Sequence, residues 1–84
     1  MKDDEKLFFR ICVTYRHREI RPVHIQDIIN ILYDVGVMHY KRCWYLLDKW
    51  AGLGFYDYGV AADLGWFAMD KLPERYAALI EDIL

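Results

Sequence analysis

Three bases and a phenol at helical spacing, Lys41, Arg42, Tyr45 and Lys49, are the most chemically capable residues in this chain. Lysine and arginine donate to phosphate oxygens and to guanine O6 and N7, and a tyrosine contacts a phosphate or a thymine methyl. The chemistry on offer is therefore polyanion recognition. Bond making is poorly supplied: there is no serine, a single threonine, Thr14, and two cysteines, Cys12 and Cys43, both inside apolar helical patterns where a thiol acts as a small hydrophobe. The acidic pairs Asp3 with Asp4 and Glu81 with Asp82 sit near solvated helix ends that leave a carboxyl at its ordinary acidity, so they read as helix-end and surface charges. His17, His24 and His39 match no common zinc spacing, and neither cysteine belongs to a CxxC pair. Gly52-Leu53-Gly54 follows a helical pattern instead of preceding one, which removes it as a phosphate loop. No catalytic residue, metal or cofactor is expected.

The net charge of −2 weighs against a polyanion-binding protein, but the charge is uneven. Residues 16–24 carry Arg16, Arg18 and Arg21 against Glu19, and residues 38–50 carry Lys41, Arg42 and Lys49 against Asp48. Residues 51–70 carry Asp57, Asp63 and Asp70 with no base. Any phosphate-gripping face is thus confined to the first two stretches, with Arg18 or Arg21 as flanking contacts. At 56% hydrophobic and 17% aromatic, the 84 residues suffice for one core and no second, so residues 1–84 read as a single domain. No apolar run approaches the roughly 18 residues needed to span a bilayer, and Met1 to Lys6 is charged rather than signal-like; a cytoplasmic protein away from membranes is expected.

Positioning those side chains requires a set of elements that the periodicity orders. Asp3 or Asp4 caps a first helix ending near Arg18, with Leu7, Phe8, Ile11, Cys12 and Tyr15 on its core side. Glu19 to Val23, interrupted by Pro22, suits a very short extended edge segment. A second helix runs from Ile25 to Tyr33, with Ile25, Ile28, Ile29 and Leu32 on one face and Gly36 as its stop. Steps of 100° then place Tyr40, Cys43, Trp44, Leu47, Trp50 and Ala51 in one apolar arc, and Lys41, Arg42, Tyr45, Asp48 and Lys49 in the opposite one, with Gly52 and Gly54 ending this third helix. Beyond Gly54, Phe55, Tyr56 and Tyr58, then Trp66, Phe67 and Met69, imply two strands of a hairpin. Asp70 is the expected cap of a last helix with Pro73 in its first turn and Tyr76, Leu79, Ile80 and Ile83 on its core face.

This order of helix, short strand, helix, helix, β-hairpin wing and C-terminal helix resembles the winged helix-turn-helix superfamily. Ile25 to Leu32, the Gly36 turn and Met38 to Trp50 look like the helix-turn-helix pair. Leu47 to Phe55 resembles the family's exit from its recognition helix into the wing, and Phe67 to Glu74 its entry into the last helix. The resemblance implies a small α+β fold and a double-stranded DNA partner, with Lys41, Arg42, Tyr45 and Lys49 toward the major groove, in a transcriptional regulator or accessory factor. The loop Val60 to Leu64 is apolar and tipped by Asp63, unsuited to lying along phosphates.

Phe9 and Val13 lie four apart on the side of the first helix away from its expected core residues, which nominates them as a homodimer contact. Two subunits would supply the affinity that few bases per chain cannot. The competing expectation is a non-catalytic protein-interaction module that keeps the winged fold without binding DNA. Charge layout separates the two: Arg16, Arg18 and Arg21 on one surface with Lys41, Arg42 and Lys49 favours DNA, and a different direction favours the interaction module.

Overall fold

The computed structural model describes residues 1–18, 24–59 and 65–83. Among them, helices α1 (Asp3–Arg18), α2 (Ile25–Asp34) and α3 (Tyr40–Gly52) precede a two-stranded antiparallel sheet of β1 (Tyr56–Asp57) and β2 (Trp66–Phe67). A 3-10 turn (Met69–Lys71) leads into the short helix α4 (Glu74–Ala77), which continues as a second 3-10 turn (Ala78–Ile80). The expected α+β class is thus present, and the described helices and strands follow one another in the expected order. The expected edge segment Glu19 to Val23 and the loop Val60 to Leu64 lie outside the described residues.

Two glycines shape the ends of the central helices. At the end of α2, Gly36 adopts φ 75°, its N–H reaching the Tyr33 carbonyl while the Val37 N–H reaches that of Leu32. Gly54, at φ 92°, repeats the arrangement after α3: its N–H bonds to Ala51 and the Phe55 N–H to Trp50. Both ends carry the paired bonds of a Schellman motif, which needs a left-handed residue at the position each glycine fills. The second motif also packs Phe55 on Trp50, ring centroids 6.2 Å apart. His39 caps α3 by accepting the Lys41 N–H at Nδ1, 3.1 Å away. Asp70, by contrast, caps nothing: it lies inside the 3-10 turn, and Pro73 (φ −57°, ψ 150°) is the N-cap of α4. The proline holds Leu72 extended (φ −66°, ψ 127°), so the last helix begins one turn later than expected.

The core joins α2 and α3 as the periodicity required: Ile25, Ile28, Ile29 and Leu32 are buried with Cys43, Leu47 and Trp50. Leu46 joins them, and Tyr40, expected in the apolar arc, is exposed. On α1 the buried set is Glu5, Phe8, Phe9, Cys12 and Val13, while Leu7 and Tyr15 are exposed and Ile11 is half-buried. Its inward face is therefore rotated roughly 90° from the expected one. Phe9 is the reason. Its ring meets Trp50, Phe55, Phe67 and Tyr76 edge-on, with centroids 5.4, 5.8, 5.7 and 5.2 Å away, so it links α1 to α3, the hairpin and α4. Phe9 and Val13, both buried within the one chain, are consequently not a subunit contact.

Tyr56 illustrates how tightly the hairpin is seated. Its ring is buried, and its hydroxyl has no hydrogen-bond partner among the described residues and presses against the backbone of Gly65. A Cβ on Gly65 would overlap that hydroxyl and the ring carbon bearing it. Gly65→Ala is expected to cost about 1–3 kcal/mol by overpacking. Tyr56→Phe, which deletes an unsatisfied buried group, should be neutral or stabilising by up to about 1 kcal/mol. In the double variant part of the alanine's cost should disappear; strictly additive urea midpoints would refute the contact.

Candidate functional site

α3 presents Lys41, Tyr45 and Lys49 in one outward stripe at i, i+4 spacing, as its amphipathic pattern demanded. Two of its three bases are nevertheless committed to ion pairs within the chain. Arg42 is half-buried and donates through Nε and Nη2 to the Asp4 carboxylate, at 2.8 and 3.1 Å, its guanidinium lying 5.3 Å from the centre of the Tyr45 ring. Lys49 Nζ donates to Glu5 Oε1 at 2.8 Å. The first turn of α1 thus lies against the length of α3, and its acids neutralise the bases that the sequence offered to a polyanion. The bond from Arg42 holds Asp4 below the usual carboxylate range.

Glu5 has no counterpart in the expected site. It is 2% exposed and receives, besides Lys49, the Trp50 Nε1–H at 3.0 Å and the Tyr76 hydroxyl at 2.6 Å, both on Oε2. Burial works to raise its pKa, but the bonds from Lys49, Tyr76 and Trp50 outweigh it, and the group stays ionised below its ordinary value. On the other flank of α3, Asp48 accepts the Tyr58 hydroxyl and Trp44 stacks on the Tyr58 ring at 6.4 Å, fastening the end of the first strand to the helix.

A different surface is left open. Around the α2–α3 turn, Ile31, Tyr33, Val35, Val37 and Tyr40 are all exposed, Val35 by 65%. Tyr33, His39 and Tyr40 form one aromatic group, with centroids 5.3 Å (Tyr33–His39), 5.5 Å (Tyr33–Tyr40) and 4.3 Å (His39–Tyr40) apart. Leu32 and Met38, buried on either side, anchor the turn so that the alternating valines face out.

The chain matches no protein-family model, no curated protein and no solved structure. Lys41, Arg42, Tyr45 and Lys49 are brought together on α3, but with Asp4 and Glu5 among them. Arg16 lies at the other end of α1, some twelve residues and roughly 18 Å from Asp4, where its charge acts on Tyr56. Arg21 and the side chain of Arg18 lie outside the described residues. Cys12 and Cys43 are buried free thiols, Cys43 pushed up by burial to about 11 and Cys12 well above its usual value. Among the described residues no helix is long and apolar enough to cross a membrane. The missed contributors are Asp4 and Glu5; the sign of them in the sequence is that Glu5 shares a helical face with Phe9 and Cys12.

Proposed function

We propose that this chain is a non-catalytic protein-interaction module, a variant of the winged-helix design that docks partners through the α2–α3 turn and does not read DNA. The observation that carries this reading is the neutralisation of Arg42 by Asp4 and of Lys49 by Glu5 beside an open aromatic and aliphatic surface. The order of three helices, antiparallel hairpin and terminal helix supports the winged-helix element of the proposal. Magnitudes favour protein over DNA. Among the bases of α3 only Lys41 forms no ion pair with a described residue, so this helix offers about one uncommitted phosphate contact and contributes a salt slope near −0.9. Buried free thiols are in keeping with a reducing, cytoplasmic setting.

A second reading, a DNA-binding regulator, draws on the outward stripe of Lys41, Tyr45 and Lys49. The two are separated by fluorescence anisotropy on mixed duplex DNA at low salt, comparing the native chain with Lys41→Ala/Tyr45→Ala, which touches no core residue. The expected result is no salt-sensitive binding by either protein. Salt-sensitive binding that the double variant loses would replace the interaction reading with the DNA one.

A further inference from the structure

We infer that Asp4 is an internal stand-in for phosphate, an autoinhibitory contact that closes a latent nucleic-acid-backbone site on α3. This rests on the reading above, in which the native chain does not bind DNA, and assigns the cause to one carboxylate instead of to a shortage of bases. Arg42 Nε and Nη2 hold the two oxygens of Asp4 at 2.8 and 3.1 Å. That two-bond fork is the arrangement in which a guanidinium also holds a phosphate, so carboxylate and phosphate compete for the same donors.

The two ties from the first turn of α1 to the bases of α3 are unequal. Glu5 is buried and also receives Trp50 and Tyr76, so Lys49 stays paired while the fold persists. The Asp4–Arg42 pair lies at the surface, its side chains 41% and 28% exposed, where water and a competing anion reach it. Removing the Asp4 carboxylate therefore frees one base and leaves the core intact. The Arg42 guanidinium lies 5.3 Å from the centre of the Tyr45 ring, and Tyr45 is itself exposed. Attraction to the ring keeps the freed guanidinium in that outward seat. Lys41 and Arg42, four and three residues before Tyr45, flank it on the helix face, and Lys41 forms no ion pair with a described residue. Two cations beside a phenol are suited to neighbouring phosphates of a nucleic-acid backbone.

Fluorescence anisotropy of a labelled mixed-sequence duplex, titrated with the intact chain at low salt, tests the proposal. Asp4→Ala should bind roughly tenfold or more above any binding by the native chain, with a salt slope near −1.8 for the two phosphates that Lys41 and Arg42 neutralise. Asp4→Asn, which keeps the size of the side chain at the start of α1, should shift in the same direction. Asp4→Ala/Arg42→Ala should be as silent as the native chain. Asp70→Asn makes the same change in net charge in the 3-10 turn before α4 and should gain nothing. Silence of both Asp4 variants at native helical content, an equal gain by Asp70→Asn, or binding that survives the loss of Arg42 overturns the proposal. The native chain in the same titration separates the two levels. If it and both Asp4 variants are silent, the masking role ends and the interaction reading stands. Salt-sensitive binding by the native chain that Lys41→Ala/Tyr45→Ala abolishes ends both.

Discussion

Trp50→Ala should leave a chain that is largely unfolded in modest urea. Trp50 is fully buried at the centre of the fold, stacked on Phe8 at 5.5 Å, met by the edge of Phe9, and in contact with Phe55 and Phe67. Truncation removes this packing and leaves a cavity among rings from α1, the turn after α3 and β2, at a cost of roughly 3–5 kcal/mol. Domains of this length have roughly 4–12 kcal/mol in total. With a urea dependence of about 1 kcal/mol per molar, the midpoint followed by far-UV circular dichroism should fall by roughly 3–5 M. Trp50→Phe keeps a ring in the core while removing the hydrogen bond to Glu5 and a smaller volume, and should cost less, about 1–3 kcal/mol. A midpoint shift below about 1 M for the alanine variant would show that Trp50 is not the packing centre.

Glu5→Gln is expected to be the most damaging isosteric change in the molecule, at about 2–4 kcal/mol. The carboxylate accepts three bonds, from Lys49, Trp50 and Tyr76, and an amide offers one acceptor oxygen and an NH₂ that faces other donors. Breaking a buried pair costs about 3–5 kcal/mol, but the Lys49 side chain is 39% exposed and regains hydration, which places the cost lower in that range. The pH dependence follows with a fixed sign. A carboxylate whose native pKa is depressed stabilises the fold above its unfolded value, here near 4.5, and that stabilisation is lost as pH falls through the native value. Asp4, held down by Arg42, and Asp82, held down by Arg10, act in the same direction. Unfolding free energy should therefore be flat from pH 7 to about 5 and drop below about 4, with a shallower acid limb in Glu5→Gln. An identical acid limb in the variant would remove Glu5 from the balance.

The Asp82 contribution belongs to a second tie between α1 and the end of the chain. Arg10 forms a two-bond pair with the Asp82 carboxylate, at 2.8 and 2.9 Å, and also donates to the Leu79 carbonyl. Both groups are largely exposed, so this pair orients the last turn more than it stabilises it.

The sequence by itself determined the order of the described helices and strands, the inward faces of α2 and α3 and the glycine-dependent ends of both helices. In each case a local rule sufficed: apolar residues at 25, 28, 29 and 32 admit one face, and Gly36 and Gly54 stand where a left-handed residue is needed. The outward stripe of Lys41, Tyr45 and Lys49 was legible for the same reason. On α1 the local rule fails, because seven of the nine residues from Leu7 to Tyr15 are apolar and every rotation buries something. Only the tertiary structure chose between them, by fitting Phe9 among four rings and Glu5 among three donors that come from α3 and α4, more than 40 residues away in the chain. That choice turned two expected subunit contacts into core residues and carried Asp4 and Glu5 onto the bases of α3. Periodicity reports which residues of one helix share a side, whereas a charge is cancelled by whatever other element packs against it, and that pairing exists only once the chain is folded.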